Sequence, residues 1–336
     1  MLTNGFKVSN FFESLPLLLG RNNNLAIKNE DNMKVFLTGA TGFIGTKLVK
    51  RLLSDNHEVV CYVRNVKKAR KKLGDKVDLL NTNAFQNHII KTLEGCDAVV
   101  NLAGEPIVKR WTKKNKKEIY YSRVNTTKKI ITAIESCKTP PKVFISSSAV
   151  GFYGNRGNET LTESSHKSSG WLSHLCDQWE KSSYPSHPGK LTSTRVVNLR
   201  TGIVLGNGGA LKKMLLPFKM GLGGTLGSGS QWMPWIHISD MINIIIESIN
   251  NKDICGPINC VAPAAVTNKH FTKILGKTLK RPTIFPVPSF ILKIIFGEGA
   301  CVLLDSQKVR PRKLVRYGFS WKFGSLYTAL EDLLKK

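Results

Sequence analysis

The stretch Val35–Leu53, VFLTGATGFIGTKLVKRLL, joins a short apolar run to a basic amphipathic one through Gly39, Gly42 and Gly45, at three-residue spacing. Lys34–Leu37 has the length and the β-branched and aromatic content of a strand, and Ile44, Leu48, Leu52 and Leu53 fall on one side of a helix over Phe43–Leu53. A glycine-punctuated turn between a strand and a helix is the form of a dinucleotide cradle. Gly39 permits the tight turn, Gly42 lets the backbone approach a pyrophosphate, and Gly45 lets the helix pack closely on the strand. Thr41, Phe43 and Ile44 stand in the same turn, where free N–H groups and the positive helix end hold an anion. Three spaced glycines alone are a weak signal; here the flanking elements agree with them.

The nucleotide's identity is read one strand later. An NAD site carries Asp or Glu at the end of the second strand, bonded to the ribose 2′-hydroxyl. Here the predicted strand Glu58–Val63 is followed by Arg64, nineteen residues past Gly45, in CYVRNVKKAR. A planar guanidinium suits a 2′-phosphate instead, which predicts NADP(H). The alternative is a surface arginine at a strand end.

Outward from the cradle, strands at Ala98–Leu102, Lys142–Ser146 and Thr194–Leu199 alternate with helices at Ile119–Cys137 and Trp171–Ser182. Such alternation predicts right-handed βαβ units and an α/β fold, a doubly wound parallel Rossmann sheet. After Gly206 the texture changes to GNGGALKKMLLPFKMGLGGTLGSG, loops around one short helix, and the last fifty or so residues read as helical, ending in an amphipathic stretch from Gly324 to Leu334. The expected organisation is a Rossmann domain over 33–205, with 230–250 returning to it. A smaller, mainly helical C-terminal lobe follows over 206–336. Residues 1–32, with Phe11-Phe12, Leu17–Leu19 and Asn22–Asn24, read as a weakly ordered extension. That predicts a cytoplasmic protein, or a mitochondrial or plastid one if the extension is a degenerate transit peptide.

The 336 residues carry a net charge of +27. Basic clusters at Arg64–Lys72, Lys109–Lys117 and Lys308–Arg316 suit an acidic partner, or reflect lysines spread over solvated faces. No aromatic interleaving of an RNA-binding module accompanies them, so nucleic acid is not the expected partner. The longest apolar run, near Ile236–Ile249, is broken by Ser239, Asp240 and Glu247, so no membrane span is expected. Seven widely spaced cysteines without a CxxC fit reduced thiols, and no metal site is predicted.

Several segments taken together resemble a known group. TGATGFIG (38–45), VVNLAGEPI (99–107), ISSSAVGFYG (145–154), RTGIVLGNGGALKKMLLPFKMGLGG (200–224) and PWIHISD (234–240) are similar to the extended, epimerase-like branch of the short-chain dehydrogenase/reductase superfamily. More narrowly they resemble its 39U-type epimerase family proteins. PVPSFILKIIFGEGACVLLDSQKVRPRKL (286–314) with YGFSWKF (317–323) resembles that group's C-terminal domain of unknown function, placed at 285–334. The resemblance implies NADP(H), with Val63 and Arg64 at the adenosine ribose phosphate and Leu102 and Ala103 lining the cofactor. It also implies that Glu118 and Arg123 lie near the cofactor and Val204 at its nicotinamide end. The alternatives are core roles for Leu102, Ala103 and Val204, and a helix-surface ion pair for Glu118 and Arg123.

The superfamily's chemistry uses a serine and Tyr-x-x-x-Lys. The lysine's charge lowers the tyrosine pKa so that it exchanges a proton near neutral pH. Ser148, at the end of Ser146–Ser148, stands where the serine belongs. The next helix reads GWLSHLCDQWEKSS, so Leu172 and Cys176, or Cys176 and Glu180 in a register one turn later, occupy the dyad positions. Tyr153 could face a pocket or be structural, Cys176 could be a nucleophile or a buried thiol, and His237 could meet substrate or be a satisfied histidine. Two functions follow: an NADP(H)-dependent oxidoreductase or epimerase acting on an unknown small carbonyl or hydroxyl substrate, with Ser148 and Tyr153 as candidate catalytic residues, or a cofactor-binding sensor or scaffold with little turnover. A monomer or homodimer is expected.

Overall fold

The computed structural model describes residues 32–185 and 193–335. The expected N-terminal extension lies outside them, except for Asn32. The chain runs through β1 (Lys34–Thr38), α1 (Phe43–Ser54), β2 (Glu58–Val63), α2 (Val66–Leu73), β3 (Asp78–Asn81), α3 (Gln86–Leu93) and β4 (Ala98–Asn101). It continues through α4 (Lys113–Tyr120), α5 (Thr126–Glu135), β5 (Val143–Ala149), β6 (Thr160–Leu161), α6 (Trp171–Lys181) and β7 (Arg195–Thr201). Then come β8 (Ile203–Leu205), α7 (Gly209–Lys219), β9 (Trp232–Met233), β10 (Trp235–His237), α8 (Ile238–Asn250) and β11 (Gly256–Cys260). The last part holds β12 (Val266–Thr267), α9 (Asn268–Leu279), α10 (Ser289–Phe296), α11 (Cys301–Leu304), β13 (Lys308–Val309), α12 (Arg312–Arg316) and α13 (Leu326–Leu334).

Seven strands form one sheet in the order β11-β7-β5-β4-β1-β2-β3, every neighbour parallel. The α/β, doubly wound expectation is met. Period-two alternation decides which face each residue serves. Val35 and Leu37 of β1 pack with Leu48 and Leu52 of α1 and Met241 and Ile245 of α8. Phe36 between them faces the other way, against Ile89 and Leu93 of α3 and Ile130 and Ile134 of α5. Each such fully buried side chain contributes about 1.5–3 kcal/mol of transfer free energy, which fixes the strand register. From β1 the chain winds to β2 on one side and returns to β4 on the other, so the strand order reverses between β1 and β4. In an open parallel sheet ligands bind above that reversal.

Several boundaries differ from the sequence reading. The single helix expected over Ile119–Cys137 is α4 and α5 joined by a π-turn at Tyr121–Asn125. Side chains compete there for helix carbonyls. Ser122 Oγ and Arg123 Nη1 both donate to the Ile119 carbonyl, at 3.0 and 3.2 Å, and Thr127 Oγ1 donates to that of Arg123 at 2.8 Å. The short strand β3, and α2 and α3, were not separately legible. β11 carries Gly256 and Pro257, poor strand formers, and is tolerated as the sheet's edge. Return to the sheet after Gly206 therefore includes Gly256–Cys260 as well as α8.

The lobe packs α7, α9 and α13 around Leu211, Phe218, Phe271, Leu275, Leu326 and Leu330. A second tie runs back to the sheet: β13 pairs parallel with β6, Lys308 opposite Thr160 and Val309 opposite Leu161. Arg310 N–H adds a bond to the Leu161 carbonyl at 2.8 Å. The segment just before β13 is thus held against the loop that follows β5.

Candidate functional site

Above the β1/β4 reversal lies a cavity of about 480 Å³, its wall mixed polar and apolar, with Gly39, Thr41, Gly42, Val63 and Arg64 on it. Leu102 and Ala103 line its far side. The turn closes through a Gly42 N–H bond to the Gly39 carbonyl at 2.8 Å. Gly39 has φ of +68°, and a Cβ there would meet the Leu102 carbonyl at 2.5 Å. A Cβ on Gly45 would lie 2.2 Å from the Gly39 carbonyl. Gly39 and Gly45 are therefore required by close backbone approach, as the spacing implied. α1 starts without a side-chain cap and without an acidic residue in its first turn, leaving its first N–H groups for an anion.

Arg64 is 86% exposed along its side chain, and its Nη1 sits 3.2 Å from Glu105 Oε1 across the cavity mouth. Lys72, on α2, donates from Nζ to the Thr41 carbonyl at 2.7 Å. Two cations therefore stand beside the glycine turn and the mouth of its cavity. The sequence showed Arg64; Lys72 was visible only as part of a basic run.

A second cavity of about 500 Å³ shares Glu105 with the first and is walled mostly by apolar side chains. Phe43, Ile44, Arg123 and Val204 line it, so the expected cofactor residues divide between the two cavities. Phe43 packs into the Gly206–Gly209 turn, where a Cβ on Gly208 would meet its ring at 2.6 Å. The Arg123 guanidinium donates to the Glu105 carbonyl at 2.9 Å and lies over the Trp179 ring at 5.1 Å, and burial lowers its pKa. Glu118 lines neither cavity. Its carboxylate meets Lys109 at 3.4 Å near the surface, not Arg123.

The candidate acid/base residues lie elsewhere. Ser148 is 3% exposed, and its Oγ donates to Glu180 Oε1 at 2.6 Å. Glu180 is held bidentately by Arg200, with Nε and Nη2 each at 2.8 Å. Arg200 Nη1 donates to the Tyr153 hydroxyl at 3.0 Å, and that hydroxyl donates to Asn259 Oδ1 at 2.7 Å. Tyr153 is 0% exposed, and burial pushes its pKa up to about 12. The turn Val150–Tyr153 directs this ring into the protein, where strands β7 and β11 supply its partners. Neither Ser148 nor Tyr153 reaches the wall of either cavity.

The dyad helix supplies no substitute. Leu172 lines the apolar cavity and packs on Gly151, favouring the register with Leu172 and Cys176 at the dyad positions. The Cys176 thiol is buried and its pKa pushed up to about 12, so thiolate is scarce at neutral pH. His237 caps α8, its Nδ1 accepting from Ser239 N–H at 3.1 Å, and its ring lies on Phe323 at 3.9 Å. Burial lowers its pKa, and it plays a structural part.

Residues 35–259 match the model of the NAD dependent epimerase/dehydratase family, and residues 287–333 that of a domain of unknown function, DUF1731. The chain is 39% identical over 311 residues to the chloroplastic SDR39U1 homolog of the epimerase family proteins from Arabidopsis thaliana, covering 92% of this chain and 88% of that protein. It is 36% identical over 303 residues to the epimerase family protein YfhF of Bacillus subtilis, covering 90% and 98%. The crystal structure of human epimerase family protein SDR39U1 (isoform 2) with NADPH superposes at a TM-score of 0.81 with 35% identity, covering 90% of this chain and 100% of that one.

Proposed function

The chain belongs to the NAD dependent epimerase/dehydratase family, and we propose that it is an NADP(H)-dependent oxidoreductase acting on a small carbonyl- or hydroxyl-bearing compound. The observation that carries this is the adjacency of two unlike cavities, one with a glycine cradle and a basic mouth, the other apolar, with Glu105 common to both. The glycine turn fits a dinucleotide because its backbone comes close where any Cβ would collide. The human relative solved with NADPH supports the same assignment.

In this reading the N-terminus of α1 holds the pyrophosphate, and Arg64 with Lys72 takes the 2′-phosphate. Leu102 and Ala103 flank the cofactor between its ends; Phe43, Ile44 and Val204 exclude water at the nicotinamide end. When bound, the cofactor supplies or accepts hydride at the apolar cavity. Arg123, fixed by the Glu105 and Ile119 carbonyls, presents a fixed positive charge at the junction. Ser148 acts through Glu180 as a positioning group for the loop after β5. No helix span among the described residues is long and apolar enough to cross a membrane.

A second function, cofactor binding without turnover, is favoured by one feature: Ser148, Tyr153 and Cys176 are all buried, and the Ser148 and Tyr153 hydroxyls are bonded away from the cavities. A titration with NADPH, NADP, NADH and NAD, followed by NADPH consumption over a panel of carbonyl compounds, separates the two. Tight NADPH binding with consumption supports the oxidoreductase. Tight binding with no consumption across the panel supports the sensor or scaffold. No stabilisation by any nucleotide overturns both.

A further inference from the structure

Two polar side chains on the apolar cavity's wall have no partner among the described residues. Asp305 and Gln307 both line it, and no hydrogen bond or ion pair among the described residues reaches the Asp305 carboxylate or the Gln307 amide. Gln307 is mostly covered, at 8% exposed as a whole residue, and its amide reaches solvent through the cavity rather than bonding the protein. Polar groups set without a protein partner on a mostly apolar cavity wall are the groups that orient a bound guest. For Asp305, burial alone moves the carboxyl, pushing its pKa up to about 6 with no cation to offset it. That is unusual in a chain with 50 lysines and arginines and 23 acidic residues.

The backbone explains why these two point the same way. Asp305 is extended (φ −67°, ψ 140°), and in an extended segment residues i and i+2 share a face. Ser306 between them faces the other side and anchors the strut. Its Oγ donates to the Gly157 carbonyl at 2.7 Å and accepts from Trp232 N–H at 3.1 Å. Arg156 N–H bonds the Ser306 carbonyl at 2.9 Å, and Gln307 N–H bonds that of Trp232 at 3.2 Å. A segment clamped on three sides thus presents an unpaired carboxylate and an unpaired amide to one cavity. Asp305 also borders a solvent-open depression of about 630 Å³, so it lies between the inner cavity and water.

We propose that Asp305 and Gln307 form the substrate-anchoring site of the inner cavity, and that the substrate is an apolar alcohol, or its ketone, rather than a nucleotide sugar. The carboxylate accepts the hydroxyl's one proton while the amide NH2 donates to the hydroxyl oxygen, and a ketone oxygen takes the amide NH2 alone; the remaining wall suits a hydrocarbon body. A nucleotide diphosphate needs a cluster of cations. Arg123 is the single cation on this wall among the described residues, and its guanidinium is already bonded to two carbonyls. This deepens the oxidoreductase assignment and rests on it, since the cofactor is taken to fill the neighbouring cradle.

The test is calorimetric titration of the full chain, saturated with NADP, with tetralol and menthol, with their deoxy counterparts tetralin and menthane, and with UDP-glucose. The alcohols are expected to bind about tenfold or more tighter than the deoxy compounds, the span of one charge-assisted bond. Asp305→Leu and Gln307→Met should each erase most of that preference, and Asp305→Asn restore part of it, with NADPH affinity unchanged in all three. Equal binding of alcohol and deoxy compound, an unaltered preference in Asp305→Leu, or UDP-glucose binding tighter than both alcohols overturns the proposal. NADPH affinity is measured on the same samples. Its absence marks failure of the cofactor assignment, and alcohol titration without nucleotide then still reads the Asp305–Gln307 site.

Discussion

The Ser148 hydroxyl donates to Glu180 at 2.6 Å, deep under the loop that follows β5, and Glu180 in turn is gripped by Arg200. The end of the serine strand and the helix that follows are thereby tied to each other and to β7, rather than facing either cavity. Glu180→Ala leaves the Arg200 charge uncompensated where it is 4% exposed along its side chain, and is expected to destabilise the chain by about 3–5 kcal/mol. Ser148→Ala removes one bond to a charged acceptor and should lose about 1.5–3 kcal/mol. Urea unfolding measures both. If Ser148→Ala instead abolishes turnover with stability intact, the hydroxyl has a direct catalytic role and the cohesive one fails.

The cradle is equally exacting. A methyl on Gly45 would lie 2.2 Å from the Gly39 carbonyl, and the listener on the other side of that contact is backbone, which does not rotate aside. Gly45→Ala should therefore push α1 off the β1 turn, lowering stability and reducing NADPH affinity about a hundredfold or more. Gly157→Ala serves as the control: a Cβ there meets nothing within 4 Å, so only the strain of its φ of +54° is added. Equal NADPH affinity in the two variants would mean that the glycine turn does not hold the cofactor.

Arg64 and Lys72 approach the cradle mouth from different elements, a strand end and a helix, so they should contribute separately to phosphate recognition. Arg64→Ala is expected to weaken NADPH by about 10–100-fold while leaving NADH within about twofold, because the lost bonds go to a group that NADH lacks. Lys72→Ala should show a smaller loss of the same kind, and both losses should shrink as salt rises. A parallel fall for NADPH and NADH would place these cations at the pyrophosphate instead.

Five of the seven sheet strands, all but β3 and β11, were legible because their signals are local. Short runs of apolar, often β-branched residues in β1, β2 and β5 and the three glycines speak within a few positions, and Arg64 stands at a fixed distance from them. What stayed hidden is built from long-range contacts. Tyr153 follows the serine strand, as a pocket residue would, but Arg200 and Asn259, far along the chain, turn it inward. Glu118 lies five residues before Arg123, past the three or four that bring helix side chains together, and its carboxylate meets Lys109 instead. Asp305 and Gln307 carry no local pattern at all. They become a pair only when Ser306 is pinned by Gly157 and Trp232, residues from two other parts of the chain.

Asp305 gives the last prediction, and its sign can be worked out. Burial raises its pKa from the ordinary 3.8 to about 6, so the folded chain holds its proton more tightly than the unfolded one. The stabilising contribution of the protonated form is then fully present below about pH 4 and lost as pH rises through about 6. Above that the ionised carboxylate is a standing cost, which the open side of the site screens to about 1–2 kcal/mol. Asp305→Asn should therefore be more stable than the parent by about that amount near pH 8, and the gap should close near pH 4. The neighbouring Cys301 thiol, whose own pKa is pushed up to about 12, stays neutral throughout and does not blur the comparison. Thermal unfolding of the two proteins across this range measures the gap directly. A gap that does not change with pH would mean that the carboxyl keeps its ordinary pKa and carries no burial cost at this site. A gap that opens as predicted marks a residue kept at the expense of stability, as expected of a group retained for binding.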